Sequence, residues 1–152
     1  MRSAILLLAI LACASVEAAG ADGLSLVNTL RGMALDPTTL RPTLGRETGG
    51  LSGPALRPVA LAAVHACYRA TGLPIVGMGG VETGRHALEL IAAGASAVAL
   101  GTVLFRDPGA PARVRAELAR EAAAHGVAEA RDLRGAAHSS LPTRAKKPAK
   151  TA

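Results

Sequence analysis

Short apolar runs that end in glycine alternate with segments of helical periodicity along this chain of 152 residues. The runs lack the polar alternation of half-buried strands, which is typical of buried parallel strands. The strand-like runs are residues 23–28, 74–77 and 97–100, and the helical segments are residues 54–71, 83–94 and 107–126. This alternation of strands and helices predicts an α/β fold with a parallel sheet.

Three strand–helix units are too few to close a barrel, which usually needs about 250 residues. The order of elements therefore predicts the C-terminal portion of a (β/α)8 barrel, incomplete as a barrel. Between the first strand and the next helix, turn residues are frequent. Here residues 33–35 and 42–44 are expected to pair as a small hairpin.

The first residues can be interpreted in two ways. Residues 1–15 begin with Met1-Arg2 and continue as an apolar run. This segment resembles a signal peptide but is too short for a membrane span. Residues 18–26 instead resemble residues 92–100, because in both a helix ends at glycine and a strand follows. Residues 16–20 are therefore predicted to be the last turn of a barrel helix. We favour the remnant of a barrel helix, with an aberrant start before it, and hence a cytoplasmic protein; a secreted protein is the alternative.

Charge and cysteine content narrow the function classes. The net charge is +6, but the lysines (Lys146, Lys147, Lys150) all lie in the basic segment 127–152, which we predict to be a disordered tail. The body, residues 16–126, is close to neutral and has almost no aromatic residues, which argues against nucleic-acid binding. Cys13 and Cys67 have no metal-ligand spacing and indicate no disulfide framework, and Cys67 is expected in the core.

Glycine-rich turns follow the predicted strands. Gly79 and Gly80 end one strand, and Gly101-Thr102 end the next. The carboxyl ends of neighbouring parallel strands meet at one edge, where exposed backbone N–H groups can bind a phosphate. Gly53, in a third glycine-rich loop with Ser52, can join them. The pattern is neither a dinucleotide fingerprint nor a P-loop.

Asn28 and Thr29 stand at the C-terminal end of the first strand. An amide side chain can donate and accept hydrogen bonds together, which suits a substrate with a carboxylate and ring amides. An asparagine that only turns the chain is an equal alternative at this point.

Four segments together resemble the C-terminal third to half of class 1 dihydroorotate dehydrogenases, and most closely class 1B. They are residues 23–34, 48–55, 75–80 and 94–102, in an order that matches from about Val16 to His125. The resemblance implies an FMN-containing (β/α)8 barrel that oxidises dihydroorotate to orotate in pyrimidine synthesis. It also implies, for class 1B, a partner subunit that carries FAD and an iron–sulfur cluster.

By the same resemblance, Asn28 and Thr29 contact dihydroorotate or orotate, and FMN is held by Gly53, Gly79, Gly80, Gly101 and Thr102. The family's cysteine base, flavin-side lysine and further asparagines have no counterpart here, and none of the four histidines follows a strand. We therefore predict no catalytic residue and no metal ligand in this chain.

Two functions of different class stay open. The chain is either part of a dihydroorotate dehydrogenase, inactive alone, or a non-catalytic remnant or subunit fragment with residual FMN-phosphate binding. Another FMN-dependent barrel oxidoreductase is the alternative among enzymes, because such barrels share glycine loops after their last strands.

Overall fold

A computed structural model describes residues 4–138; residues 1–3 and the tail beyond His138, with its three lysines, lie outside the described residues. The helices are α1 (Ala4–Ala18), α2 (Arg57–Ala70), α3 (Gly84–Ala93) and α4 (Ala110–Ala124). The strands are β1 (Leu24–Leu26), β2 (Leu30–Gly32), β3 (Gly49–Leu51), β4 (Ile75–Met78) and β5 (Ala97–Ala99). Short 3-10 turns cover Pro54–Leu56, Thr102–Phe105, Ala130–Leu133 and Ala136–His138.

The central sheet is parallel, as the alternation of strands and helices predicts. β4 lies between β1 and β5, with Leu24 opposite Ile75 and Val76 opposite Ala97. Each helix packs against the next one in the chain, and α2 and α3 also contact the sheet. The three carboxyl ends of these strands therefore point to the same edge.

Only one face of this sheet is covered by the described residues. Along β4, Ile75 is completely buried under the helices, whereas the next side chain, Val76, is 37% exposed. Continuous apolar strands predict burial on both faces. The second face differs because no element within residues 4–138 packs on it, as expected for part of a barrel rather than a closed one.

The core lies between the sheet and the helices and is built from small and branched side chains. Its fully buried members include Val64 of α2, Ile75 of β4 and Leu90 of α3. Glycine permits the close approach of these layers. A Cβ added at Gly77 would lie 3.0 Å from the Cβ of Ala95 and 3.4 Å from that of Leu90.

The glycines predicted to end two helices do so. Gly20 follows α1 with a φ of 86°, and Gly94 follows α3 with a φ of 124°. Both angles lie in the left-handed region that glycine adopts without steric cost. At the other end of α3, the hydroxyl of Thr83 accepts a hydrogen bond from the backbone N–H of His86 at 3.2 Å, as a helix cap should.

The predicted hairpin is only partly right. Residues Leu35 and Pro42 form a single antiparallel bridge, whereas the regular ladder lies farther out, between β2 and β3. A Cβ at Gly50 of β3 would collide with the side chain of Thr29, just before β2. Glycine at this position therefore allows β2 and β3 to approach closely. Residues 49–53 were predicted to be a loop, but Gly49–Leu51 form strand β3. Only Ser52 and Gly53 of this segment lie outside the strand.

The two cysteines correct the expectation of no disulfide. Cys13 of α1 is bonded to Cys67 of α2, with the two Cα atoms 6.2 Å apart. The expectation that Cys67 is a core residue is confirmed, since both cysteines are buried. The pairing was missed because it depends on how α1 packs against α2, and sequence spacing carries no information about that contact.

The predicted disorder of the tail is wrong for residues 127–138. Arg134 donates a hydrogen bond to the carbonyl of Gly94 at 3.0 Å, and a ring nitrogen of His138 lies 2.8 Å from the carbonyl oxygen of Ala93. These carbonyls end α3 and have no partner inside the helix, so a basic segment satisfies them well. The Arg134 guanidinium also stacks over the ring of Tyr68, 5.4 Å from its centroid.

Candidate functional site

A cavity of about 450 Å³ lies at the edge of the sheet where β1, β4 and β5 end. It is lined by residues from the turns after each of these strands and from the segment after β3. All the residues predicted to bind a cofactor or substrate line it: Asn28, Thr29, Gly53, Gly79, Gly80, Gly101 and Thr102. The structure thus brings together groups that are up to 74 positions apart, from Asn28 to Thr102.

Backbone N–H groups are the principal hydrogen-bond donors of this cavity. Outside the helices and strand ladders of residues 4–138, no backbone hydrogen bond is donated by the N–H groups of Gly79, Gly80, Gly101 or Thr102. Thr102 begins a 3-10 turn, whose first N–H groups have no partner inside the turn. Unpaired N–H groups on two adjacent turns favour an anion, and a phosphate group has enough oxygens to accept from several of them.

Glycine is required at the β4 turn for two separate reasons. Gly79 and Gly80 have φ angles of 128° and 68°, a region that residues with a Cβ rarely adopt. A Cβ at Gly80 would also lie 2.7 Å from the carbonyl oxygen of Gly53 and 3.0 Å from Arg57. The turn therefore lies directly against the loop that follows β3.

Gly101 is different from these two glycines. Its φ of −126° lies outside the left-handed region, and a Cβ there would meet no atom within 4 Å. Packing within the described residues therefore does not require glycine at this position. Because Gly101 lines the cavity, the space left free beside its Cα is available to a ligand.

Charged side chains from α4 and the loop before it connect the turn after β4 with the turn after β5. Arg113 donates to Asp107 at 2.7 Å, to Glu117 at 2.9 Å and to the carbonyl of Glu82 at 3.1 Å. Glu117 also accepts a hydrogen bond from the N–H of Gly84 at 2.7 Å. This backbone bond, followed by the Arg113 contact, lowers the pKa of Glu117, and the two carboxylates raise the pKa of Arg113.

Asn28 is oriented by its neighbour. The backbone N–H of Thr29 donates to the Asn28 Oδ1 at 2.7 Å, so this oxygen is already in use while the amide nitrogen remains a possible donor. Both residues are exposed, and both line the cavity. The arrangement is compatible with substrate recognition and with a local turn alike, so geometry alone does not separate the two interpretations of Asn28.

The cavity lining also includes residues that the sequence pattern does not predict, and three of them carry charge or a large exposed ring. Glu82 and Arg106 form an ion pair at 2.9 Å across the two turns, and Phe105 is 94% exposed. A signal for the charged pair was present, because each residue lies within four positions of a predicted phosphate-binding residue. Nothing in the local pattern distinguishes Phe105 from a buried aromatic residue.

No histidine or cysteine among the described residues lines the cavity, and the carboxylate that does, Glu82, is paired with Arg106. The four histidines lie elsewhere: His65 and His86 are on helices, His125 ends α4, and His138 contacts α3. Both cysteines are held in the disulfide between α1 and α2, within the buried core. Within residues 4–138, no group of three or more potential ligands is placed to hold a metal ion. In the same range, no helix is long and apolar enough to cross a membrane.

Comparison with known proteins gives a consistent result. The family profile described as "Dihydroorotate dehydrogenase" matches residues 9–121. The catalytic subunit of dihydroorotate dehydrogenase B (NAD(+)) from Geobacter sulfurreducens is 50% identical over 125 residues, which are 82% of this chain and 40% of that protein. The same subunit from Desulforudis audaxviator is 53% identical over 120 residues, covering 79% and 39%.

Solved structures support the same relationship. Dihydroorotate dehydrogenase from Eimeria tenella, crystallised with ferulenol, has a TM-score of 0.71 and 34% identity, over 86% of this chain and 35% of that one. Because the neighbours are (β/α)8 barrels, the prediction of a partial barrel is confirmed. The chain spans about 40% of the length of the curated relatives that it matches.

Proposed function

Because the chain belongs to the dihydroorotate dehydrogenase family, we propose that it forms the part of such an enzyme that holds the FMN phosphate and contacts the substrate. The reaction is the oxidation of dihydroorotate to orotate in pyrimidine biosynthesis, in the cytoplasm. One observation carries this proposal. All seven residues that the resemblance assigns to cofactor and substrate line one cavity, and four of them offer unpaired N–H groups.

The cavity fits the phosphate end of FMN. Members of this family are FMN-dependent flavoproteins. Gly79, Gly80, Gly101 and Thr102 would donate their N–H groups to the phosphate, and the open space beside Gly101 leaves room for it. Gly53 would close the site from the β3 side, where its carbonyl lies against Gly80. When bound, FMN supplies the hydride acceptor for the oxidation.

Substrate contacts are assigned to Asn28 and Thr29. The Asn28 amide nitrogen would donate to a carboxylate or ring carbonyl of dihydroorotate, and the Thr29 hydroxyl would add a second contact. The hydrogen bond from the Thr29 N–H occupies the Asn28 oxygen and leaves the amide nitrogen as the group that would donate to the substrate.

A complete reaction needs groups beyond the described cavity. Oxidation of dihydroorotate requires a base that removes a proton from the substrate carbon while a hydride leaves, and no histidine, cysteine or lysine lines the cavity. The chain by itself is therefore proposed to be inactive. The relatives named as catalytic subunits support an electron-transfer partner, which we propose to carry FAD and an iron–sulfur cluster.

A chimera tests this proposal. Residues 16–126 would replace the corresponding stretch of the Geobacter sulfurreducens relative, so that the remaining strands and the base come from the relative. We expect a yellow protein with FMN absorbance and measurable orotate formation, whereas the 152-residue chain alone gives none. A folded chimera without FMN would contradict the proposal, and turnover by the chain alone would contradict its inactivity.

Two variants of the chimera test whether Asn28 contacts the substrate or only supports the structure. Asn28→Ala should lower kcat/KM for dihydroorotate by about tenfold or more, the cost of one hydrogen bond to a charged group, with FMN content unchanged. Leu40→Ala, at an exposed position outside the cavity, is the matched control and should leave both unchanged. A chimera that holds FMN but does not respond to Asn28→Ala would favour the second candidate function, a fragment that only binds the FMN phosphate.

A further inference from the structure

Arg113 connects the two turns that carry the unpaired N–H groups, although it does not line the cavity itself. It lies in the first turns of α4, and its guanidinium reaches the carbonyl of Glu82 at 3.1 Å, just beyond the Gly79-Gly80 turn. The same group holds Asp107 at 2.7 Å and 3.0 Å, in the loop that follows Thr102.

The second arm of this contact runs through Glu117. One carboxylate oxygen accepts from Arg113 at 2.9 Å, and the other accepts from the N–H of Gly84 at 2.7 Å. The Cα of Gly84 lies so close to α4 that a Cβ would collide with the backbone of Glu117 and Leu118. The start of α3 is therefore fixed against α4, and the β4 turn that leads into it is fixed as well.

Arg106 extends the network to the rim of the cavity. Its guanidinium forms an ion pair with the side-chain carboxylate of Glu82 at 2.9 Å. The backbone carbonyl of the same Glu82 accepts the hydrogen bond from Arg113. The Gly79-Gly80 turn after β4 and the Gly101-Thr102 turn after β5 are thus linked twice. Arg106 links them at the rim of the cavity, and Arg113 links them behind it. A phosphate bound by N–H groups from both turns requires a fixed distance between them, since hydrogen bonds weaken steeply outside a narrow range.

We propose that Arg113 is a positioning residue that sets the spacing between the Gly79-Gly80 turn and the Gly101-Thr102 turn, and with it the selectivity of the site for a phosphorylated flavin. This inference rests on the proposed function. Arg113 touches neither flavin nor substrate and acts through Glu82 and Asp107. Because five N–H donors in a planar fork bind three acceptors at once, lysine cannot reproduce the arrangement.

Binding of FMN and of riboflavin to the full 152-residue chain tests the inference, because the two flavins differ only in the phosphate. Titration followed by flavin fluorescence should give tighter binding of FMN for the unchanged chain. Arg113→Ala should weaken FMN binding about tenfold and leave riboflavin binding within twofold, while Arg113→Lys should lie between. Arg115→Ala, on the same helix, is the matched control, since Arg115 is exposed and in no ion pair found among residues 4–138.

A second variant guards against a general loss of folding. Asp107→Asn removes one anchor of Arg113 and should reduce the preference for FMN in the same direction, by a smaller factor. Equal weakening of both flavins by Arg113→Ala and Asp107→Asn would mean a structural role only, and would overturn the inference. Retention of the FMN preference within twofold in Arg113→Ala would overturn it as well and leave the proposed function intact.

The unchanged chain separates this inference from the function on which it rests. If it binds FMN no better than riboflavin, or binds neither flavin, the proposed phosphate site is wrong and the role of Arg113 falls with it. An independent readout is hydrogen exchange at the N–H of Gly84, which Glu117 holds. It should become faster in Arg113→Ala and stay unchanged in Arg115→Ala.

Discussion

The braced loops, residues 79–84 and 101–109, and the hairpin region, residues 30–51, are held in different ways. The braced loops contribute residues to the cavity, whereas the hairpin region lies between two of its lining residues, Thr29 and Ser52. The braced loops follow strands that lie on a buried core, and long-range ion pairs connect them. In the hairpin region most large apolar side chains are exposed: Leu30, Met33, Leu35, Leu40, Leu44 and Leu51. Its best-defined polar contacts are local, such as those of Asp36 with Thr38 and Thr39.

This difference separates the two halves of the candidate site. The two turns that we propose to bind phosphate have the contacts that fix their geometry within the described residues. The hairpin, which begins directly after Asn28 and Thr29, leaves apolar surface that a complete barrel would be expected to cover. We infer that cofactor binding depends mainly on contacts present here, and that substrate binding depends on contacts with the rest of a barrel.

The largest expected effect is on folding, from truncation of a core residue under the braced loops. Leu90→Ala removes a fully buried side chain between α3 and β4 and should lower the free energy of unfolding by about 2–5 kcal/mol. Leu40→Ala, at a side chain 71% exposed in the hairpin region, should change it by less than about 0.5 kcal/mol. Urea unfolding followed by circular dichroism measures both. Similar losses in the two variants would remove the contrast between the regions.

A smaller loss is expected from Gly80→Ala. The substitution places a Cβ at a φ of 68° and against the Gly53 carbonyl, and such strain costs roughly 1–3 kcal/mol. Because the turn must shift, FMN binding should be lost in parallel. Unfolding and FMN titration on the same preparation check this. Full FMN affinity in a stable Gly80→Ala protein would show that the turn does not touch the phosphate.

Gly101→Ala should separate binding from stability. Because no protein atom lies within 4 Å of the added Cβ, the free energy of unfolding should fall by less than it does in Gly80→Ala. The methyl group enters space that we assign to the ligand, and FMN affinity should fall about tenfold. Unchanged FMN affinity would place the phosphate elsewhere.

The smallest effect concerns pH and the C-terminal segment that packs beside the core. Burial, together with the nearby His138 and Arg69, lowers the pKa of His65, whose ring stacks on that of His138 at 4.0 Å. The folded protein therefore favours neutral His65, and its contribution to stability is full above about pH 6.5. It should be lost as the pH falls from there through the lowered pKa. Melting temperatures between pH 7.5 and pH 5 measure this, and His65→Gln should flatten that part of the profile.

The sequence predicts most of the sheet and the cofactor turns because their signals are local. Gly20 and Gly94 end helices with angles that only glycine adopts freely, and Thr83 caps α3 through a bond within one turn. Contacts that depend on packing between distant segments were missed. The disulfide of Cys13 with Cys67 and the docking of Arg134 on Gly94 are the clearest examples, since neither follows from composition or spacing.

The most direct test of the central claim is to observe the backbone N–H groups of the cavity while FMN is added to the isotopically labelled 152-residue chain. Nuclear magnetic resonance spectra should show the largest shifts at Gly79, Gly80, Gly101 and Thr102, and none at Gly45 in the hairpin region. Inorganic phosphate should shift the same four signals at higher concentration. Shifts confined to other residues, or none with either ligand, would contradict the assignment of this edge of the sheet as a phosphate-binding site.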